Sequence, residues 1–152
     1  MSDNYSLIIK NGSCYIDGKL EKIDLGLSGK KIKKIGKIEL NSSKVFDATN
    51  KLILPGIIDT QVHFREPGST DAEDLESGSR AAVLGGVTSL FEMPNTNPPT
   101  SNIVEFEKKI QLAKDRMHSN HAFYFGATPD NIEQLSQLKN LKGCCGIKLF
   151  AG

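Results

Sequence analysis

Two rhythms of apolar and polar residues divide the chain near Leu54. Before it, short β-type runs alternate with turns. Residues 6–10 precede Asn11-Gly12, a strong hairpin signal, and residues 14–16 precede Asp17-Gly18, a second one. Residues 22–27 alternate with period two until Ser28-Gly29 breaks them. The runs 31–36, 44–47 and 52–54 follow. Many short strands with glycine turns predict a small antiparallel sheet or sandwich.

From Pro55 the rhythm changes. A strand at 57–63 leads through a loop to a helix predicted over about 71–84. Asp71, Glu73, Asp74 and Glu76 fall in its first turns, where the helix dipole favours them, and Gly85-Gly86 ends it. A strand at 87–93 is closed by Pro94-Asn95. A second helix follows Asn102, an N-cap candidate with Glu105 three residues on. Ile103, Phe106, Ile110, Ala113 and Met117 share one helical face and read as core. Strands at 122–126 and 145–150 flank a shorter helix at 131–138. This β-α alternation predicts an α/β fold with a parallel sheet and right-handed crossovers.

An eight-stranded barrel of alternating strands and helices typically needs about 250 residues, so four strands make half of one. The last strand runs to Gly152 with no helix after it, and an uncovered sheet edge is a liability. The chain therefore reads as a fragment, with a β portion at 1–54 and a truncated half-barrel at 55–152.

Composition narrows the classes. A net charge of +1 argues against nucleic-acid binding, which needs clustered excess lysine and arginine. The local group Lys30, Lys31, Lys33, Lys34 and Lys37 reads as the solvated edge of a strand. No run approaches the roughly 18 apolar residues of a membrane span. The N-terminus, Met1-Ser2-Asp3-Asn4-Tyr5, lacks the pattern of a secretory signal. Three cysteines without framework spacing fit buried thiols in a reducing, cytoplasmic setting.

The chemistry concentrates in residues 54–68. Asp59, Gln61, His63 and Arg65 alternate with Thr60, Val62 and Phe64, which on a strand puts four polar groups on one face. Unpaired, such a set would be costly in a core, whereas a metal or an anionic substrate would use it. His63 at a strand end suits a neutral imidazole on zinc, or a structural histidine. Asp59 could orient a ligand, bind metal, or cap a turn. Arg65 could grip a carboxylate through two parallel hydrogen bonds, or pair with Glu66 or the acidic helix. Lys148 stands alone in an apolar strand, where desolvation lowers an amine's pKa, or it snorkels at the rim.

The stretch Leu54-Pro55-Gly56-Ile57-Ile58-Asp59-Thr60-Gln61-Val62-His63-Phe64-Arg65-Glu66-Pro67-Gly68 resembles the first barrel strand of cyclic amidohydrolases, most closely dihydroorotases. Gly85-Gly86-Val87-Thr88 and Met93-Pro94-Asn95-Thr96-Asn97-Pro98-Pro99-Thr100 are similar to the next segment of that family. Gly146-Ile147-Lys148-Leu149-Phe150 is similar to the strand bearing its metal-bridging lysine. The resemblance runs from about Leu52 to the end and more faintly through the N-terminal region. It implies a small N-terminal β-sandwich followed by the first half, about four βα units, of a TIM-type (β/α)8 barrel.

The activity it implies is reversible opening of dihydroorotate to N-carbamoyl-aspartate, in pyrimidine biosynthesis. One or two Zn2+ ions would be held by His63 and a carbamylated Lys148, with Asp59 in support. Arg65 and Asn95 would bind the substrate carboxylate. Gln61 stands where the family has the first histidine of a His-x-His pair, and an amide oxygen is a poorer zinc ligand. The remaining ligands and the proton-shuttling aspartate would lie beyond Gly152, so no catalytic residue falls within this chain. His118 and His121 fall at the opposite end of the barrel. Two other readings stay open: a non-catalytic partner in an assembly, and a related allantoinase or dihydropyrimidinase. The partners implied are a small cyclic amide and either further copies or another enzyme of the pathway, without nucleic acid or membrane.

Overall fold

Glycine turns and one half-buried aspartate sort the N-terminal strands into two sheets. The computed structural model describes residues 4–39 and 44–151. The chain ends read from the sequence, Met1–Asp3 and Gly152, lie outside them. Two compact units are present, Met1–Pro55 and Gly56–Gly152.

In the first unit, β1 (Leu7–Lys10), β4 (Leu25–Ser28), β5 (Lys31–Ile35) and β6 (Val45–Asp47) form one sheet in the order β5-β4-β1-β6. A second holds β2 (Ser13–Ile16), β3 (Lys19–Lys22) and β7 (Leu52–Ile53) in the order β3-β2-β7. Both sheets are mixed, because β6 runs parallel to β1 and β7 parallel to β2; the predicted antiparallel pairing holds for β1-β4, β4-β5 and β2-β3 only. Asp17-Gly18 does close a hairpin, between β2 and β3. Asn11-Gly12 does not. Asn11 adopts the left-handed φ of 65° that its turn requires, but β1 and β2 go to different sheets.

The predicted 22–27 strand is split for a physical reason. The Asp24 carboxylate accepts from the backbone N–H of Asn11 (3.2 Å) and of Ile38 (3.1 Å), which takes residue 24 out of the ladder. Tyr5, Ile8 and Ile38 form the small buried cluster of this unit. Gly26 lies so close to the Tyr5 ring that a Cβ there would come within 2.7 Å of it. The lysine-rich β5 is an exposed sheet edge, where charge opposes strand addition.

The second unit is a parallel sheet in the order β11-β10-β9-β8, built from β8 (Ile57–Val62), β9 (Val87–Glu92), β10 (Asn120–Gly126) and β11 (Cys144–Lys148). The crossovers carry α1 (Leu75–Leu84), α2 (Ile103–Ala113) and a 3-10 helix (Pro129–Asn140). Phe64, Leu75, Leu90, Phe106, Phe123 and Phe125 form its core. Ile103, Ile110 and Met117 pack against that core, as their spacing predicts.

Two helices depart from the sequence reading. The first begins at Leu75 and not near Asp71, because Asp74 is its N-cap, accepting from Ser77 N–H at 2.7 Å. Asp71 and Glu73 precede it, leaving Glu76 as the acidic residue of its first turn. The third is a 3-10 helix, entered through Pro129 with Asn131 Oδ1 accepting from Thr128 N–H at 2.9 Å.

Candidate active site

Loops that leave the C-terminal ends of parallel strands are where α/β sheets place their chemistry. Here β8 ends at Val62, so His63 and Arg65 sit in the loop that follows. Asn95 follows β9, and Lys148 is the last residue of β11. The predicted single face of four polar residues is not regular. The ladder shifts register between Asp59 and Val62, and Arg65 takes a left-handed φ of 62°. What holds the segment is Phe64, buried on the helix side against α1, where Gly78 leaves room for its ring.

The structure brings two of the predicted residues together. His63 Nδ1 lies 2.8 Å from Asn95 Oδ1. An amide oxygen can only accept, so Nδ1 is the donor here, and in the neutral ring that places the lone pair on Nε2. The contact also leaves the Asn95 NH2 as a donor without a partner among the described residues. The loops carrying the pair are tied to each other: Asn97 N–H donates to Pro67 O (3.0 Å), and Met93 N–H to Val62 O (2.9 Å).

The other candidates stand apart from that pair. Asp59 folds back on its own strand, accepting from Gln61 N–H at 2.9 Å. Gln61 and Arg65 are exposed. The alternative partner read for Arg65, Glu66, is taken by Arg116, at 2.7 and 3.1 Å. The Lys148 ammonium sits 5.3 Å from the centroid of the Phe150 ring. His118 pairs with Glu76 at 2.9 Å, and His121 lies near the start of β10, at the strand's opposite end.

These donors suit zinc only in part. His63 Nε2 fits as one nitrogen ligand, oriented by the hydrogen bond at Nδ1 as metal-binding imidazoles are. Among the described residues no cluster of three or more His, Cys, Asp or Glu side chains could complete a site. A metal held through His63 would need ligands beyond the described His, Cys, Asp and Glu side chains.

Beneath the site lies a feature missed in the sequence. Lys109 Nζ is 2.5 Å from Glu92 Oε2, and both side chains are almost wholly buried. Burial pushes the Glu92 carboxyl up to about 7, with Lys109 pulling it back, and the same desolvation pushes Lys109 down. A signal was available. Lys109 stands three residues after Phe106 and four before Ala113, on the apolar stripe of α2.

A family model described as dihydro-orotase-like matches residues 50–148. The chain belongs to that family. A dihydroorotase of Lactobacillus gasseri is 40% identical over 137 residues, covering 87% of this chain and 32% of that protein. An allantoinase of Salmonella choleraesuis is 36% identical over 148 residues, covering 97% of this chain and 32% of its own length. The L-hydantoinase (dihydropyrimidinase) of Arthrobacter aurescens superposes with a TM-score of 0.85 at 26% identity, over 94% of this chain and 32% of that one. The chain thus spans about a third of the length of the dihydro-orotase-like and hydantoinase relatives it matches. It aligns with an N-terminal portion of the family architecture. Among its described residues no helix is long and apolar enough to cross a membrane.

Proposed function

We propose that this chain is the portion of a cytoplasmic cyclic-amide hydrolase that carries a small N-terminal β-sandwich and the first half of a (β/α)8 barrel, and that the substrate is dihydroorotate. The observation that supports it best is the contact between His63 and Asn95. One interaction prepares two functions: a nitrogen lone pair for a metal and an amide donor for a carboxylate. Arg65, exposed in the same loop and with no ion pair among the described residues, supplies the guanidinium that would share the carboxylate with Asn95.

His63 would hold zinc through Nε2, and Lys148, carbamylated, would be the second contributor, with Asp59 oriented for support and Gln61 a weaker donor at a ligand position. Zinc, when bound, supplies Lewis-acid polarisation of the ring carbonyl. The chain's own residues bind and orient: Arg65 and Asn95 fix the substrate carboxylate so that the ring amide faces the metal side. The catalytic proton transfer falls to residues outside this chain.

The test is zinc per chain together with hydrolysis of dihydroorotate and of a dihydropyrimidine, measured on the longer protein that carries this chain, in the wild type and in Arg65→Met. Stoichiometric zinc, with turnover of dihydroorotate that Arg65→Met abolishes, supports the reading. Unchanged dihydroorotate turnover in Arg65→Met removes the substrate assignment. The 36% identity to an allantoinase favours one rival, a ring without a carboxylate, and turnover of the dihydropyrimidine alone would select that class. Gln61 favours the other rival, a non-catalytic partner in an assembly, and absence of zinc would select it.

A further inference from the structure

The 93–100 loop, which presents Asn95, is held from below at both ends by one side chain. Lys109 crosses from α2 through the core, over the face of Phe123 (5.4 Å to the centroid), and ends under the loop. Its Nζ donates to Met93 O at 3.1 Å and to Thr100 Oγ1 at 3.4 Å, and Glu92 balances its charge. Thr100 N–H in turn donates to Pro94 O (2.9 Å), and Thr96 Oγ1 lies 3.3 Å from Thr100 Oγ1. Among the described residues, the ammonium's contacts besides Glu92 and the Phe123 ring are therefore to the loop.

A buried charge pair is weak evidence for stability, since apolar residues of similar volume often serve as well. A device that fixes one conformation is the better-attested use. Met93 and Asn95 are two residues apart, and Met93 N–H is bonded to Val62 O, next to His63. Displacing the Met93 carbonyl thus moves both partners of the His63–Asn95 contact.

We propose that Lys109 is a positioning residue for this site: its ammonium fixes the 93–100 loop so that Asn95 Oδ1 meets His63 Nδ1, which sets the tautomer His63 presents. The inference rests on the reading of His63 and Asn95 as site residues, but its readout needs no turnover.

The experiment follows the His63 ring nitrogens by long-range 1H–15N correlation in the full chain, labelled with 15N-histidine and freed of metal by chelation. The wild type shows the Nδ1–H tautomer. The double variant Glu92→Gln, Lys109→Met removes the pair without stranding a buried charge. In that variant, still folded by circular dichroism, the Nε2–H to Nδ1–H ratio rises about fivefold, the factor for one net hydrogen bond. Glu92→Gln alone keeps Lys109 and the wild-type tautomer. A folded double variant with the wild-type ratio overturns the proposal.

If the double variant does not fold, Thr100→Val deletes only the hydroxyl at the far end of the loop. A shift toward Nε2–H there supports the proposal, and an unchanged ratio overturns it. Absence of hydrolysis by the longer protein that carries this chain, alongside an intact tautomer switch, sinks the functional reading and leaves this one standing.

Discussion

His63 and Asn95 stand 32 residues apart in the chain, yet a 2.8 Å hydrogen bond joins the loop after β8 to the loop after β9. Partners that orient a metal-binding imidazole typically matter to affinity by 10–100-fold. Asn95→Leu is therefore expected to weaken zinc binding by about 10–100-fold while leaving the fold intact. Competition with a chromogenic chelator measures it. Zinc affinity equal to wild type would show that Nε2 of His63 is not a ligand.

The Glu92–Lys109 pair predicts a pH dependence of stability. The Glu92 carboxyl, raised from 4.5 to about 7 by burial, holds a proton in the folded chain that it loses when unfolded over that interval. The folded state therefore binds more protons there, and Glu92's contribution to stability falls as pH rises from 4.5 to about 7. Lys109, shifted down by burial, acts oppositely at higher pH, up to its unfolded value of 10.5. Urea denaturation at pH 5 and pH 7 should show the decline in the wild type and a flatter profile in Glu92→Gln. Identical slopes would mean that the carboxyl titrates alike in both states.

Much of this second unit was legible because its signals are local. Asn102 caps α2 by accepting from Glu105 N–H at 2.9 Å, and Gly85-Gly86 ends α1, with Gly86 at a φ of 89°. The misreadings arose where a distant partner outweighed a local preference. Asn11-Gly12 has the chemistry of a hairpin, but β1 found β4 and β6 instead. Asp71 and Glu73 look like a helix start, yet the first amide of α1, Leu75 N–H, is taken at 2.9 Å by Glu66, nine residues earlier. Of the candidate site, the residue types and the place of Asn95 just after a strand could be read from the sequence, whereas His63 and Arg65, expected on the strand face, sit in the loop after it. The His63–Asn95 bond could not, since the alternation that suggested four aligned groups stops at the end of β8.

Gly78 tests how tightly the site's backbone is packed from behind. A Cβ at this position would come within 2.6 Å of Phe64 Cε1. Alanine gains up to about 1 kcal/mol of helix propensity over glycine, while forcing a methyl into a filled core costs about 1–3 kcal/mol. Gly78→Ala is thus expected to lower the melting temperature, and because Phe64 lies between His63 and Arg65, to shift the His63 ring resonances as well. A higher melting temperature with unchanged resonances would show that Phe64 yields freely.

Glu66 links three segments, and its removal should loosen one of them selectively. Its buried carboxylate accepts from Leu75 N–H at the start of α1 and receives both terminal nitrogens of Arg116, beyond α2. Hydrogen bonds to charged groups contribute about 1.5–3 kcal/mol each, and a paired carboxylate left without its cation keeps its desolvation cost. Arg116→Met should therefore destabilise the second unit by about 1.5–3 kcal/mol in urea denaturation. Glu66→Gln keeps the acceptor for Leu75 but weakens the grip on Arg116, whereas Glu66→Leu removes both. Amide exchange at Leu75 should thus accelerate strongly in Glu66→Leu and little in Glu66→Gln. Equal exchange in the two variants would mean that Asp74 alone holds the start of the helix.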